Sequence, residues 1–112
     1  MKESPAFVRT HDLLLWLLQT TRKFPREQRF VMAQRLHERA FAVQDALNAA
    51  VLDAANEARH LLLADIALLS LRKSLLLAYQ LGLLSAAQFR HVSQLDGDVG
   101  RLIGSWRNKK GG

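Results

Sequence analysis

Residues 33–54 read AQRLHERAFAVQDALNAAVLDA, and the spacing of their apolar members decides the fold class. Ala33, Leu36, Ala40, Val43, Leu47, Ala50 and Ala54 recur every three or four positions, which places them along one side of an α-helix. Arg35, Glu38, Arg39, Asp45 and Asp53 largely take the other faces. This is an amphipathic helix laid against a core. The chain around it agrees, because Leu and Ala dominate a 49% hydrophobic content and favour helix over strand. Both prolines, Pro5 and Pro25, lie in the first quarter, so nothing downstream of Arg26 forbids helix on that ground.

Working toward the N-terminus, Phe24-Pro25 breaks the helical pattern, since the residue before proline is pushed out of the helical region. Pro25 itself can open the second helix. Ahead of the break, Ser4-Pro5 supplies a cap residue followed by proline at the first helical position. A first helix through Leu13, Leu14, Trp16, Leu17 and Leu18 then runs to about Thr21.

Toward the C-terminus, residues from about Asn56 to Leu81 form a third helix that is apolar on nearly every side. Leu61, Leu62, Leu63, Ile66, Leu68, Leu69, Leu71, Leu75, Leu76 and Leu77 all belong to it. A bundle this small cannot hide both faces of such a helix, so one face is expected to meet the core and another a second subunit. A greasy free surface is the alternative. Gly82 matches a helix-ending glycine, and Ser85-Ala-Ala-Gln88 matches a capping box that opens a fourth helix. That helix carries Phe89, Val92, Leu95, Val99, Leu102, Ile103 and Trp106, and Asn108–Gly112 read as a frayed polar tail. Trp16, Phe30 and Trp106 read as core.

The 112 residues are the size of one small domain. The expected architecture is all-α, a single four-helix bundle over 1–112 with antiparallel up-down-up-down connections, because the links are short. Gly100 and Gly104 fall four apart on one face of helix four, where a close backbone crossing or a subunit contact would account for them. A helix that weakens near Gly104 is the competing account.

Catalytic groups are scarce. There is no cysteine, which removes disulfides and thiolate chemistry. Glu57-Ala-Arg-His60 resembles half of a di-iron motif, but the sequence has no second pair to complete it. His11, His37, His60 and His91 are scattered one per helix, with no nucleophile fixed beside any of them. Gly97, Gly100 and Gly104 lie in a helical pattern without the lysine of a phosphate loop. Neither an enzyme nor a cofactor is expected. The opening Met-Lys-Glu-Ser-Pro does not read as a signal peptide, and Asp65, Arg72 and Lys73 interrupt the leucine run, so no membrane association is expected and the location is expected to be cytoplasmic.

The net charge of +6 is unevenly placed. Residues 20–30 set Arg22, Lys23, Arg26 and Arg29 against Glu27, and residues 101–112 hold Arg101, Arg107, Lys109 and Lys110 with no acid. The rest of the chain nets −1, so the excess sits in two patches, which suits a polyanionic partner. Cations at helix C-termini also complement the macrodipole, which is the plainer reading.

The octet Val99-Gly100-Arg101-Leu102-Ile103-Gly104-Ser105-Trp106 resembles the C-terminal signature of the accessory variability determinant (Avd) proteins of diversity-generating retroelements. Phe24-Pro25 after the leucine-rich first helix is similar to that family's first corner, and Ala64-Asp65 with Leu71-Arg72 to its third helix. The resemblance covers about Phe7 to Trp106. It implies a four-helix bundle in a homopentameric barrel that partners a reverse transcriptase and binds RNA or DNA during mutagenic copying, without catalysis of its own. The same superfamily includes four-helix proteins encoded in 23S ribosomal RNA intervening sequences, for which an interaction scaffold is the alternative role. The cations expected to contact phosphates are Arg22, Lys23, Arg26, Arg29, Arg72, Lys73, Arg101, Arg107, Lys109 and Lys110, with Arg72 and Arg101 falling in the family-like stretches. Arg72 can instead snorkel over leucines, and Arg101 can instead pair with Asp98 or Asp96.

Overall fold

The computed structural model describes residues 4–111, and side chains as far as Lys109. Its four long helices are α1 (Pro5–Thr20), α2 (Gln34–Leu52), α3 (Glu57–Gln80) and α4 (Ala86–Gly111), with no strand among the described residues. The chain is a helical bundle. α1 packs on α2 and α4, and α3 packs on α2 and α4, most extensively on α2.

Local chemistry sets the ends of these helices. The Ser4 hydroxyl accepts from the Ala6 amide at 3.3 Å, with Pro5 at the first helical position. At the other end of α1, a 3₁₀ turn (Thr21–Lys23) leads to Phe24, which is extended with ψ 143° before Pro25. Phe24 is buried and plugs this corner. The Thr21 hydroxyl donates its one proton to the Leu17 carbonyl at 2.8 Å, so the His37 Nε2 at 2.7 Å must be the donor to Thr21. That contact ties α2 to the end of α1. Burial holds the His37 pKa below its ordinary value.

Helix two does not start as one smooth α-helix. A single α turn (Arg26–Gln28) is followed by a π turn (Arg29–Ala33) before α2 proper. Counting back seven residues from the buried Leu36 reaches Arg29, which a regular helix would carry toward the core. The wider turn absorbs the extra residue, leaving Arg29 exposed while Met32 and Ala33 stay buried.

The loop between α3 and α4 forms as the spacing predicts. Gly82 has φ +79°, its N–H donates to the Tyr79 carbonyl, and the Leu83 N–H donates back to Ala78, each at 3.0 Å. Ser85 and Gln88 exchange backbone-to-side-chain bonds at 2.9 and 3.1 Å, completing the capping box. Gly82→Ala, which forces a Cβ into the left-handed region, is expected to cost about 1 kcal/mol. Thermal melting monitored by circular dichroism checks it.

One buried cluster threads all four helices, with Leu13 and Leu17, Leu36 and Leu47, Leu68 and Leu71, and Val99 and Ile103 among its members. Trp16 and Trp106 pack at its edge as the sequence suggests. Phe30 does not: it is 77% exposed, a correction to its reading as core. It lies off the seam that runs back from Leu36. The C-terminal stretch also differs from expectation, because α4 continues to Gly111 in place of a frayed tail from Asn108.

α3 is indeed apolar on both sides. Leu61, Ala64, Leu68, Leu71 and Leu75 are buried, while Leu62, Leu63, Ile66, Leu69, Leu76 and Leu77 lie outward, each between 41% and 50% exposed. Lys73 sits in the middle of that outer stripe.

Candidate nucleic-acid interface

The structure sorts the candidate cations whose side chains it describes among a corner, the region of a groove, the outer stripe of α3 and the end of α4. Arg22 and Lys23 lie on the 3₁₀ turn, Arg26 on the following α turn and Arg29 on the π turn, all exposed. Arg29 folds back over the corner, donating from Nε to the Phe24 carbonyl at 3.2 Å and from Nη2 to the Arg22 carbonyl at 3.4 Å. These bonds draw the two turns together and give the corner a fixed shape. Among the ion pairs of the described residues, none involves Arg22, Lys23 or Arg26. With Glu27 the only acid of the segment, the corner carries a net +3.

Arg72 and Arg101 come together between α3 and α4. Both border a groove of about 470 Å³ between α3 and α4, with Asp65, Leu68, Leu69, Gly97 and Gly100. Its glycines leave room without any backbone crossing. A Cβ on Gly100 would meet the Leu68 Cδ2 at 3.4 Å and the Arg72 Nη2 at 3.9 Å, and one on Gly97 would meet the Arg101 Nη1 at 3.6 Å. A Cβ on Gly104 would face open space. Neither a close crossing within the chain nor an early end to α4 accounts for these glycines.

Each groove arginine already has an acid. Arg72 donates from Nε to Asp96 Oδ1 at 3.0 Å, and its Nη2 makes an ion-pair contact of 2.9 Å with the same oxygen. Its side chain is 55% exposed, whereas that of Asp96 is 1% exposed, so the guanidinium lies over the carboxylate like a lid. Asp96 Oδ2 is buried without a partner. Burial raises the Asp96 pKa, and the bond from Arg72 opposes that shift without cancelling it. Arg101 pairs with Asp98 one turn earlier on α4, the ion pair that its spacing allows. Arg107 reaches across to Asp65 on α3. The groove is therefore close to charge-balanced, and the corner is not.

Of the remaining candidates, Lys73 is exposed on the outer stripe of α3 and Lys109 is exposed near the end of α4. Lys110 lies outside the residues whose side chains are described. His60 does not turn toward Glu57 as a ligand pair would; its Nε2 contacts Asp53 Oδ2 at 2.9 Å.

Sequence reasoning missed two features of this surface. Asp96 sits in the α4 core stripe between Val92 and Val99, and an acid at that register signals a cross-helix cation. The exposed Phe30 beside Arg29 could have been found by extending the Leu36 seam backward.

A family model described as bAvd-like matches residues 7–110. No curated protein matches the chain.

Proposed function

Because the chain belongs to the bAvd-like family, we propose that it is a non-catalytic accessory protein of a diversity-generating retroelement, docking on a reverse transcriptase and holding nucleic-acid backbones during mutagenic copying. The observation that carries the nucleic-acid part is the corner patch. Arg22, Lys23 and Arg26 are exposed on rigid turns with no acid paired to them, which is how a protein presents charge to phosphates without reading bases. Arg72, Arg101, Arg107 and Lys109 extend the basic surface. The paired ones contribute less, since phosphate must compete with a carboxylate already in place.

In this reading the bundle is antiparallel, up-down-up-down. Phe7 packs on Trp106 and Trp16 on His91, at centroid separations of 6.2 and 5.7 Å, pairings that support opposite directions for α1 and α4. Several copies close into a cytoplasmic ring, a homopentamer, through the outer stripe of α3. Its half-exposed leucines and Ile66 support that contact because they form an apolar face, interrupted by Lys73, that nothing inside the chain covers. No helix is long and apolar enough to cross a membrane among the described residues.

Salt titration of RNA and DNA affinity tests the reading. Neutralising Arg22, Lys23 and Arg26 together to glutamine is expected to flatten the plot of log affinity against log salt by roughly two to three. Arg101→Gln should change affinity by only about twofold, because its charge is already shared with Asp98. Wild-type affinity that is flat between about 50 and 200 mM salt would defeat the proposal. Charge reversal at Arg72 is no substitute, since it would set a second carboxylate against buried Asp96.

A further inference from the structure

Phe30 stands out among the exposed apolar residues for what surrounds it. It is 77% exposed, and its neighbour Val31 is 64% exposed. Arg26 and Arg29 lie within one turn of chain on its N-terminal side. Arg29, the residue before it, also donates to the Arg22 carbonyl and so ties the 3₁₀ turn to this segment. The ring lies outward on the π turn, whose last two residues, Met32 and Ala33, are anchored in the core. An isolated exposed phenylalanine needs no explanation. One fixed among cations with no acid partner offers an apolar ring face next to phosphate-binding charge.

We propose that Phe30 is a stacking platform for an unpaired base, which makes the corner a site for single-stranded nucleic acid. The proposal rests on the nucleic-acid reading above and sharpens it from any polyanion to an unpaired strand. Bases inside a duplex are stacked on one another and have no face to offer, whereas a single strand can lay a base on an aromatic ring while its phosphates meet the flanking arginines. Stacking tolerates any base, in keeping with cations that contact only the backbone. A membrane surface fits less well, because the apolar ground here is two residues wide and the chain on either side is charged or buried, too little for an interfacial helix.

The experiment measures binding of wild type, Phe30→Ala and Phe30→Trp to oligothymidine and to a duplex of equal length at about 50 mM salt. Phe30→Ala is expected to weaken oligothymidine binding about tenfold while duplex binding moves less than twofold, and Phe30→Trp is expected to restore it. Phe30 is exposed, so all three should melt together, and that check keeps folding out of the comparison. Unchanged oligothymidine binding by Phe30→Ala overturns the proposal, and so does an equal loss on both ligands. Wild type that binds neither ligand defeats the parent reading and this one with it, whereas salt-sensitive binding indifferent to Phe30 defeats this one alone. Phosphatidylglycerol vesicles form the last arm, and Phe30-dependent binding to them in place of oligothymidine would identify a membrane surface.

Discussion

Arg72→Met is expected to lower the unfolding free energy by about 3 kcal/mol at pH 7, to be read from urea denaturation followed by circular dichroism. Methionine keeps most of the aliphatic stem but removes the hydrogen bond and the ion pair to Asp96. Asp96 would then be a buried carboxylate with neither oxygen satisfied, and breaking a buried pair from one side typically costs 3–5 kcal/mol. The low end applies because more than half of the Arg72 side chain already meets water. The pH dependence has a definite sign. The folded-state pKa of Asp96 is raised, so the native state holds its proton to higher pH than the unfolded chain does. Its stability contribution is fully present below the ordinary carboxylate value and is lost as pH rises through the raised one. Without Arg72 that rise is larger and the window wider, so the variant's deficit is expected to shrink on acidification toward pH 5. A deficit independent of pH would mean that Asp96 is not its source. Replacing both partners, Arg72→Met with Asp96→Leu, should recover most of the loss.

The second large effect separates the two faces of α3. Leu71 is fully buried, and Leu71→Ala is expected to cost about 3 kcal/mol through lost transfer energy and the cavity left behind. That loss should not vary with protein concentration. Ile66 faces outward and is half exposed, so Ile66→Asp should leave the monomer folded, with helicity close to wild type. Its effect should appear in mass, because an ionised carboxylate placed inside an apolar subunit contact is not tolerated. Sedimentation or light scattering is expected to show a multi-chain wild type reduced to single chains by Ile66→Asp. A wild type that is already monomeric would remove the ring from the proposed function and leave the outer stripe of α3 without a partner.

Much of the fold was legible because its signals are local. The Gly82 turn, the Ser85–Gln88 box, the Ser4-Pro5 start and the break at Phe24-Pro25 each depend on residues within a few positions of one another, and all appear in the structure. The i,i+3 pair Asp98–Arg101 was readable for the same reason. Features that depend on helix rotation were not. Asp96 and Arg72 are 24 positions apart, and whether they meet is decided by the phase of α3 against α4. The π turn rests on a one-residue mismatch between the corner and the Leu36 seam, which neither segment displays alone. Phe30 has the apolar ring of a core residue, but its phase against the Leu36 seam leaves it exposed. In the candidate site, net charge marked the right segments. It could not tell cations already paired with an acid from those still free, and that distinction moves the emphasis from Arg72 and Arg101 to the corner.

The Asp96–Arg72 pair also acts as a locator. α3 presents leucine at almost every turn, so sliding α4 along it by seven residues would bury nearly the same apolar area. Such a slide would bring Asp65 or Tyr79 opposite Asp96 in place of Arg72, setting an acid against an acid or a phenol where a cation is needed. Hydrophobic burial alone cannot distinguish these alignments, and one misplaced charge can. An acid that weakens the core at neutral pH thereby reinforces, midway along α3 and α4, the alignment that the Gly82 turn sets at their joined ends.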